Sequence, residues 1–151
     1  MTGVKVVATN RKARHEYFLL EMYEAGLELH GSEIKSIRAG QISLAEAYVQ
    51  VEEQQAWLVD AHIAPYEQAS HFNHEPRRPR RLLLHRSEIK DLWDAVRQKG
   101  VTVIPTQVYL KEGRAKLQIA IGKGKKLYDK RAAIAKRDTQ REIEREFRGK
   151  I

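Results

Sequence analysis

The chain has 151 residues, with 28 Lys or Arg against 20 Asp or Glu and no cysteine. That length suits one domain with its own core plus an appendage, and the missing cysteine excludes a disulfide scaffold, thiol catalysis and thiolate-held zinc or iron–sulfur sites. A net charge of +8 and a pI near 9.8 make a polyanion the expected partner. The first ten residues lack a signal-peptide core and no later run reaches membrane-spanning length, so a cytoplasmic location is expected.

Asn10-Arg11-Lys12-Ala13-Arg14-His15 reads as a short basic helical turn with Asn10 as cap. Tyr17–Tyr23 is largely apolar or aromatic, Ala25-Gly26 interrupts it, and Leu27-Glu28-Leu29 resumes the alternation, which predicts two strands around a bend. Ser32 is placed to cap a short helix with Ile34 and Ile37 on one face, Lys35 and Arg38 outward, and Gly40 ending it in the left-handed region. Ala47–Glu52 and Ala56–Ile63 form a hairpin across Glu53-Gln54-Gln55, with Val49 and Val51 alternating on one arm and Trp57, Val59, Ala61 and Ile63 on the other.

Residues 64–81, with three prolines and the run His71-Phe72-Asn73-His74, read as a loop with solvent-exposed histidines. Ser87–Lys99 is the strongest helix: Ser87 caps, Ile89, Leu92, Trp93 and Val96 form the buried stripe, and Gly100 follows. Val101–Leu110 and Arg114–Ile121 make a second hairpin closed by Lys111-Glu112-Gly113, with Leu117, Ile119 and Ile121 inward. About six short strands with flanking helices predict a mainly β fold, a small antiparallel barrel of the oligonucleotide-binding (OB) kind over residues 1–121.

At Gly122 the character changes. Residues 122–151 hold eleven Lys or Arg against five Asp or Glu, whereas the first 121 hold seventeen against fifteen. Gly122-Lys123-Gly124 lacks the rest of a phosphate loop and reads as a flexible exit from the last strand, leaving Lys123, Lys125 and Lys126 for phosphates. The tail beyond is rich in alanine and charge, but its large apolar residues do not share a face: Ile143, Phe147 and Ile151 align while Ile134 falls opposite. Such a helix is marginal in water, so the tail is expected to be disordered when free and helical against a polyanion. No nucleophile with a base, carboxylate pair or metal cluster stands out, and neither catalysis nor a cofactor is expected.

Asn10–Tyr17, Tyr23-Glu24-Ala25-Gly26-Leu27, Gly31–Gly40, Arg81-Leu82-Leu83-Leu84 and Gly122–Lys126 with Asp129-Lys130-Arg131 closely resemble, in order, the SsrA-binding protein family, also called small protein B. The resemblance implies an OB-fold body that holds the tRNA-like end of transfer-messenger RNA. It also implies a tail that enters the vacant message channel of a stalled ribosome, at the small-subunit decoding centre, to start trans-translation. Elongation factor Tu and alanyl-tRNA synthetase would act on the same RNA. A structural or assembly-linked ribosomal RNA-binding protein is the alternative, since it would share the body and the basic tail.

Carried across residue by residue, the family's RNA contacts match Glu24, Leu83 and Lys116. Glu24 suits donors on base edges, which phosphates lack; otherwise it is the polar residue beside a bend. Leu83 either meets a splayed base or is core, and its leucine run alone favours core. Lys116, between Ala115 and Leu117, faces solvent, either for a phosphate or as an ordinary surface lysine. On the ribosome side stand Arg11, Lys12, Arg14 and His15, with Lys35 and Arg38 as an extension, or else simply a solvated basic face. Tyr128 matches a position that stacks on a decoding-centre base, where stacking contributes about 1–3 kcal/mol per base. Asp129, Lys130 and Arg131 match a tail motif needed on the ribosome.

Overall fold

The computed structural model describes residues 4–66 and 73–125. The elements in chain order are β1 (Val4–Thr9), α1 (Arg11–Glu16), β2 (Tyr17–Leu27), α2 (Gly31–Arg38), β3 (Ile42–Ser43), β4 (Tyr48–Val51), β5 (Ala56–Val59), β6 (His62–Ile63), β7 (Arg80–Leu83), α3 (Arg86–Val96), β8 (Val101–Lys111) and β9 (Arg114–Gly124). Seven strands make one antiparallel sheet in the order β1-β8-β9-β2-β7-β5-β4, and β3 pairs with β6 in a second, small sheet. The mainly β fold expected from the alternation is present. β4 lies against β8, so the sheet curls as a barrel does, but no ladder joins β1 to β4 among the described residues and it stays open.

Alternation sets the core. Ala25 of β2, Leu58 of β5, Leu82 of β7, Val108 of β8 and Leu117 and Ile119 of β9 are buried, with Ile37 of α2 and Leu92 of α3 packed among them. Each leucine or isoleucine so placed contributes about 1.5–3 kcal/mol relative to exposure. The β8–β9 turn places Glu112 at φ 54° and Gly113 at φ 79°, the paired left-handed geometry that matches strand twist in a tight hairpin. Among the described residues no helix is long and apolar enough to cross a membrane.

Several expectations need correction. Residues 17–27 form one strand, because Gly26 has ladder partners on both sides, Lys116 and Leu83, and no reversal fits there. The arm expected over Ala56–Ile63 is two pieces: Asp60 adopts φ 59°, which resets the alternation, so Ala56 and Leu58 are buried and Trp57 and Val59 only half-buried. Ser32 and Ser87 do not cap. The N-caps are His30 and His85, whose backbone N–H groups donate to the side chains of Glu33 at 2.8 Å and Glu88 at 3.0 Å. Asn10 does occupy the N-cap of α1, but its amide donates to the Pro105 carbonyl at 2.9 Å instead of to the helix.

Gly122–Gly124 continue β9 and are not an exit from the sheet. A Cβ at Gly122 would lie 2.6 Å from Ile104 Cδ1 and 3.3 Å from the Phe18 carbonyl, so any side chain there displaces the Ile104 tip and crowds the β2 backbone. β1 was not expected at all, and β7 emerges from the end of the segment read as a loop. The disordered-tail expectation, together with Lys126, falls outside the described residues.

Under β7 lies a buried charge cluster that sequence reasoning missed. Arg80 Nε donates to Glu33 Oε2 at 2.6 Å with both side chains fully buried, and Arg78 donates to Glu33 Oε1 at 2.5 Å. Arg80 also donates to the carbonyls of Ala61 at 2.8 Å and Pro76 at 3.0 Å. Burial pushes the Glu33 carboxyl up, but hydrogen bonds from Arg78, the His30 N–H and Arg80 outweigh it and hold the group below the usual range. Beside it His74 is buried, contrary to the exposed-loop expectation. A carbonyl can only accept, so Nε2 carries the hydrogen donated to Ile63 O at 2.8 Å, and Nδ1 accepts from Ser32 Oγ at 2.8 Å. These bonds tie α2, β6 and the start of β7 into one unit.

Candidate nucleic-acid interface

The β2 strand runs between β7 and β9, and Gly26 sits in register with Leu83 on one side and Lys116 on the other. Glu24, two residues earlier, shares that face. Three residues far apart in sequence therefore meet around a glycine. A Cβ on Gly26 would approach Leu83 Cβ to 3.1 Å, so the absent side chain is what lets Leu83 lie close against β2. Leu83 is 50% exposed, which removes the core alternative for it. Lys116 is half-buried rather than fully exposed.

Glu24, Leu83 and Lys116 line one concavity of about 590 Å³ together with Arg81, His85 and Glu88. The surface is mixed in sign and part apolar, which suits base edges and sugars as well as phosphates. The Tyr109 hydroxyl donates to Glu24 Oε2, and Lys111 Nζ lies 3.5 Å from the same oxygen. That phenol hydrogen bond, aided by Lys111 and Lys116 against partial desolvation, holds the Glu24 carboxyl below the usual range. Glu24 is thus an acceptor at neutral pH. Sequence reasoning did not find Tyr109, Lys111, Arg81 or His85. Only the alternation of Tyr109 and Lys111 on one strand face hinted at the first two.

Six of the other expected residues gather at the opposite end of the same two strands. Arg11, Lys12, Arg14 and His15 are exposed on α1, while Ala13 is buried and anchors it. Lys125 Nζ donates to the Arg14 carbonyl at 2.8 Å and stands 5.2 Å from the Phe18 ring centroid, and Lys123 is the cross-strand partner of Phe18. Lys123 and Lys125 therefore keep company with α1, not with Glu24. Phe18, Leu20 and Met22 of β2 are each exposed, and the bulge between Leu19 and Glu21 sets Phe18, across from Lys123, on the opposite face from Met22, across from Ala120.

Arg38 does not extend this surface. It donates to the Gly113 carbonyl at 3.2 Å, near the Lys116 end, while Lys35 stands over the Tyr66 ring at 5.7 Å. Among the described residues no three His, Asp or Glu side chains cluster to hold a metal. Lys126, Tyr128, Asp129, Lys130, Arg131 and His71 lie outside the described residues.

Likenesses to known proteins can be set beside this geometry. The family model described as SmpB protein matches residues 7–149. The chain is 57% identical over 146 residues to the SsrA-binding protein of Desulforudis audaxviator, covering 97% of this chain and 95% of that protein. It is 58% identical to the SsrA-binding protein of a Roseiflexus species over 142 residues, covering 93% and 90% respectively. A solved structure described as "tmRNA-SmpB: a journey to the center of the bacterial ribosome" superposes with a TM-score of 0.65 at 44% identity, covering 77% of this chain and 82% of that one. The chain belongs to the SmpB protein family.

Proposed function

We propose that this chain is an RNA-binding adaptor of trans-translation, acting in the cytoplasm. The body, with β9 counted to its end at Gly124, binds the tRNA-like region of transfer-messenger RNA, and the basic tail beyond residue 125 probes the empty message channel of a stalled ribosome. The observation that carries the reading is the meeting of Glu24, Leu83 and Lys116 around Gly26 on one concave face. Family membership supports the same reading. Glu24 accepts from base donors, Leu83 offers apolar contact and Lys116 neutralises phosphate. The cations of α1, with Lys123 and Lys125, face ribosomal RNA, Lys126 offers its charge to RNA phosphates, and Tyr128 and Asp129-Lys130-Arg131 act in the channel. Elongation factor Tu and alanyl-tRNA synthetase act on the same RNA.

The division of labour is tested by deleting residues 129–151 and measuring two activities. Transfer-messenger RNA affinity stays within about threefold, since the tail neutralises few phosphates in that complex, while peptide tagging disappears. A large loss of RNA affinity would contradict the assignment. Equal affinity for arbitrary ribosomal RNA fragments would favour an assembly-linked ribosomal protein instead.

A further inference from the structure

Tyr109 is 6% exposed, yet the register puts it on the sheet's outer face. It lies opposite Lys116, while Glu24 lies opposite Gln118 one row along β9, so the phenol reaches Glu24 by crossing over β9. Its hydroxyl and Lys111 Nζ both approach Glu24 Oε2, and Oε1 has no hydrogen bond among the described residues. We infer that Tyr109 is a positioning residue for RNA recognition: it pins Glu24 Oε2, with Lys111, so that Oε1 is presented to an amino or imino N–H on the edge of an unpaired base.

The inference rests on the reading that Glu24 meets RNA, and it adds the reason a lone surface glutamate would be useful there. An untethered glutamate samples several rotamers and loses that freedom on binding. A phenol hydrogen bond to an ionised carboxylate is of the stronger, charge-assisted kind, and it settles the side chain before the ligand arrives. Only a carboxylate accepts at both oxygens, so one can be held by the protein and one left for the base.

Charge state supports the geometry. The Tyr109 hydrogen bond is the largest influence holding the Glu24 carboxyl below its ordinary range, and burial together with Glu24 pushes the Tyr109 phenol up, keeping it a donor. The charged and titratable groups around Glu24 are Tyr109 and Lys111 on β8, Lys116 on β9, Arg81 on β7, and His85 with Glu88 at the start of α3. Removing the phenol hydroxyl raises the Glu24 pKa. Binding that needs the carboxylate is then lost at a higher pH than in the natural protein.

The test uses full-length Tyr109→Phe with the isolated tRNA-like fragment of transfer-messenger RNA, from neutral pH to about pH 4. Affinity at neutral pH falls about three- to tenfold, the scale of the ordering cost of one side chain no longer held in place before binding, and the acid limb of binding moves to higher pH. The Glu24 carboxyl resonance, titrated without RNA, moves the same way. A variant that melts earlier but keeps the natural affinity and Glu24 titration would overturn the inference and leave Tyr109 a packing residue. Glu24→Gln separates the two levels: if it binds RNA normally, the underlying reading fails, whatever the RNA-free titration shows. Should Tyr109→Phe not fold, Lys111→Met carries the same resonance readout with a smaller upward shift, and an unmoved Glu24 there would equally count against the inference.

Discussion

The two ends of the β2–β9 ladder are built from the same pair of strands and present different chemistry. At the Gly26–Lys116 end a carboxylate is fixed by a phenol and a lysine beside an exposed leucine in a concavity. At the Tyr17–Gly124 end α1 and Lys123 set cations around the exposed Phe18, with Lys125 drawn onto its ring and the Arg14 carbonyl. Lys116 and Lys123 are seven residues apart, roughly 23 Å along a strand. The contrast teaches that charge alone does not locate a reader of RNA. A held acceptor next to apolar surface discriminates among bases, whereas cations supply affinity for any phosphate backbone.

Each end has its own structural support, so each can be broken separately. Arg80→Ala strips the buried partner from Glu33 beneath the Gly26 end, and the loss of about 3–5 kcal/mol should appear in denaturant unfolding. The same cluster fixes a pH dependence. The folded pKa of Glu33 is depressed, so its stabilisation is present above the unfolded value near pH 4.3 and lost as pH falls through the folded one. Thermal melting of the natural protein should therefore decline below about pH 4.3, and less so in Arg80→Ala. Gly122→Ala attacks the other end: its Cβ meets Ile104 Cδ1 at 2.6 Å and the Phe18 carbonyl at 3.3 Å. About 1–3 kcal/mol of stability is lost there by overpacking.

Two surface changes then sharpen the functional contrast. Glu24→Gln costs less than about 1 kcal/mol of stability, since the group is partly exposed, and weakens binding of the tRNA-like fragment by about tenfold, as loss of a charged acceptor would. Arg14→Ala costs that complex less than about threefold while lowering the salt dependence of ribosome binding by up to one phosphate contact. Equal effects of these two substitutions on both RNAs would erase the distinction between the ends.

Local patterns were legible in the sequence and long-range partnerships were not. Leu117, Ile119 and Ile121 announce β9 because their partners in β8 are joined to them by a tight turn. β1 escaped because Val4 and Val6 are exposed and its partner strand lies about a hundred residues on. Gly26 looked like a bend because sequence cannot show that ladders flank it on both sides. Both helix starts were displaced from serines to His30 and His85, since the reach-back of Glu33 and Glu88 decides the cap. The resemblance named Glu24, Leu83 and Lys116, but the phenol that holds Glu24 comes from a residue 85 positions away.

Backbone amide shifts of the full-length protein, followed while the tRNA-like fragment of transfer-messenger RNA is added, test the central claim most directly. Gly26, Leu83 and Lys116 should move at substoichiometric RNA, with Arg14 and Lys123 following only when ribosomal RNA is supplied. Simultaneous movement of both groups with the first RNA would contradict a division of the ladder into two recognition ends.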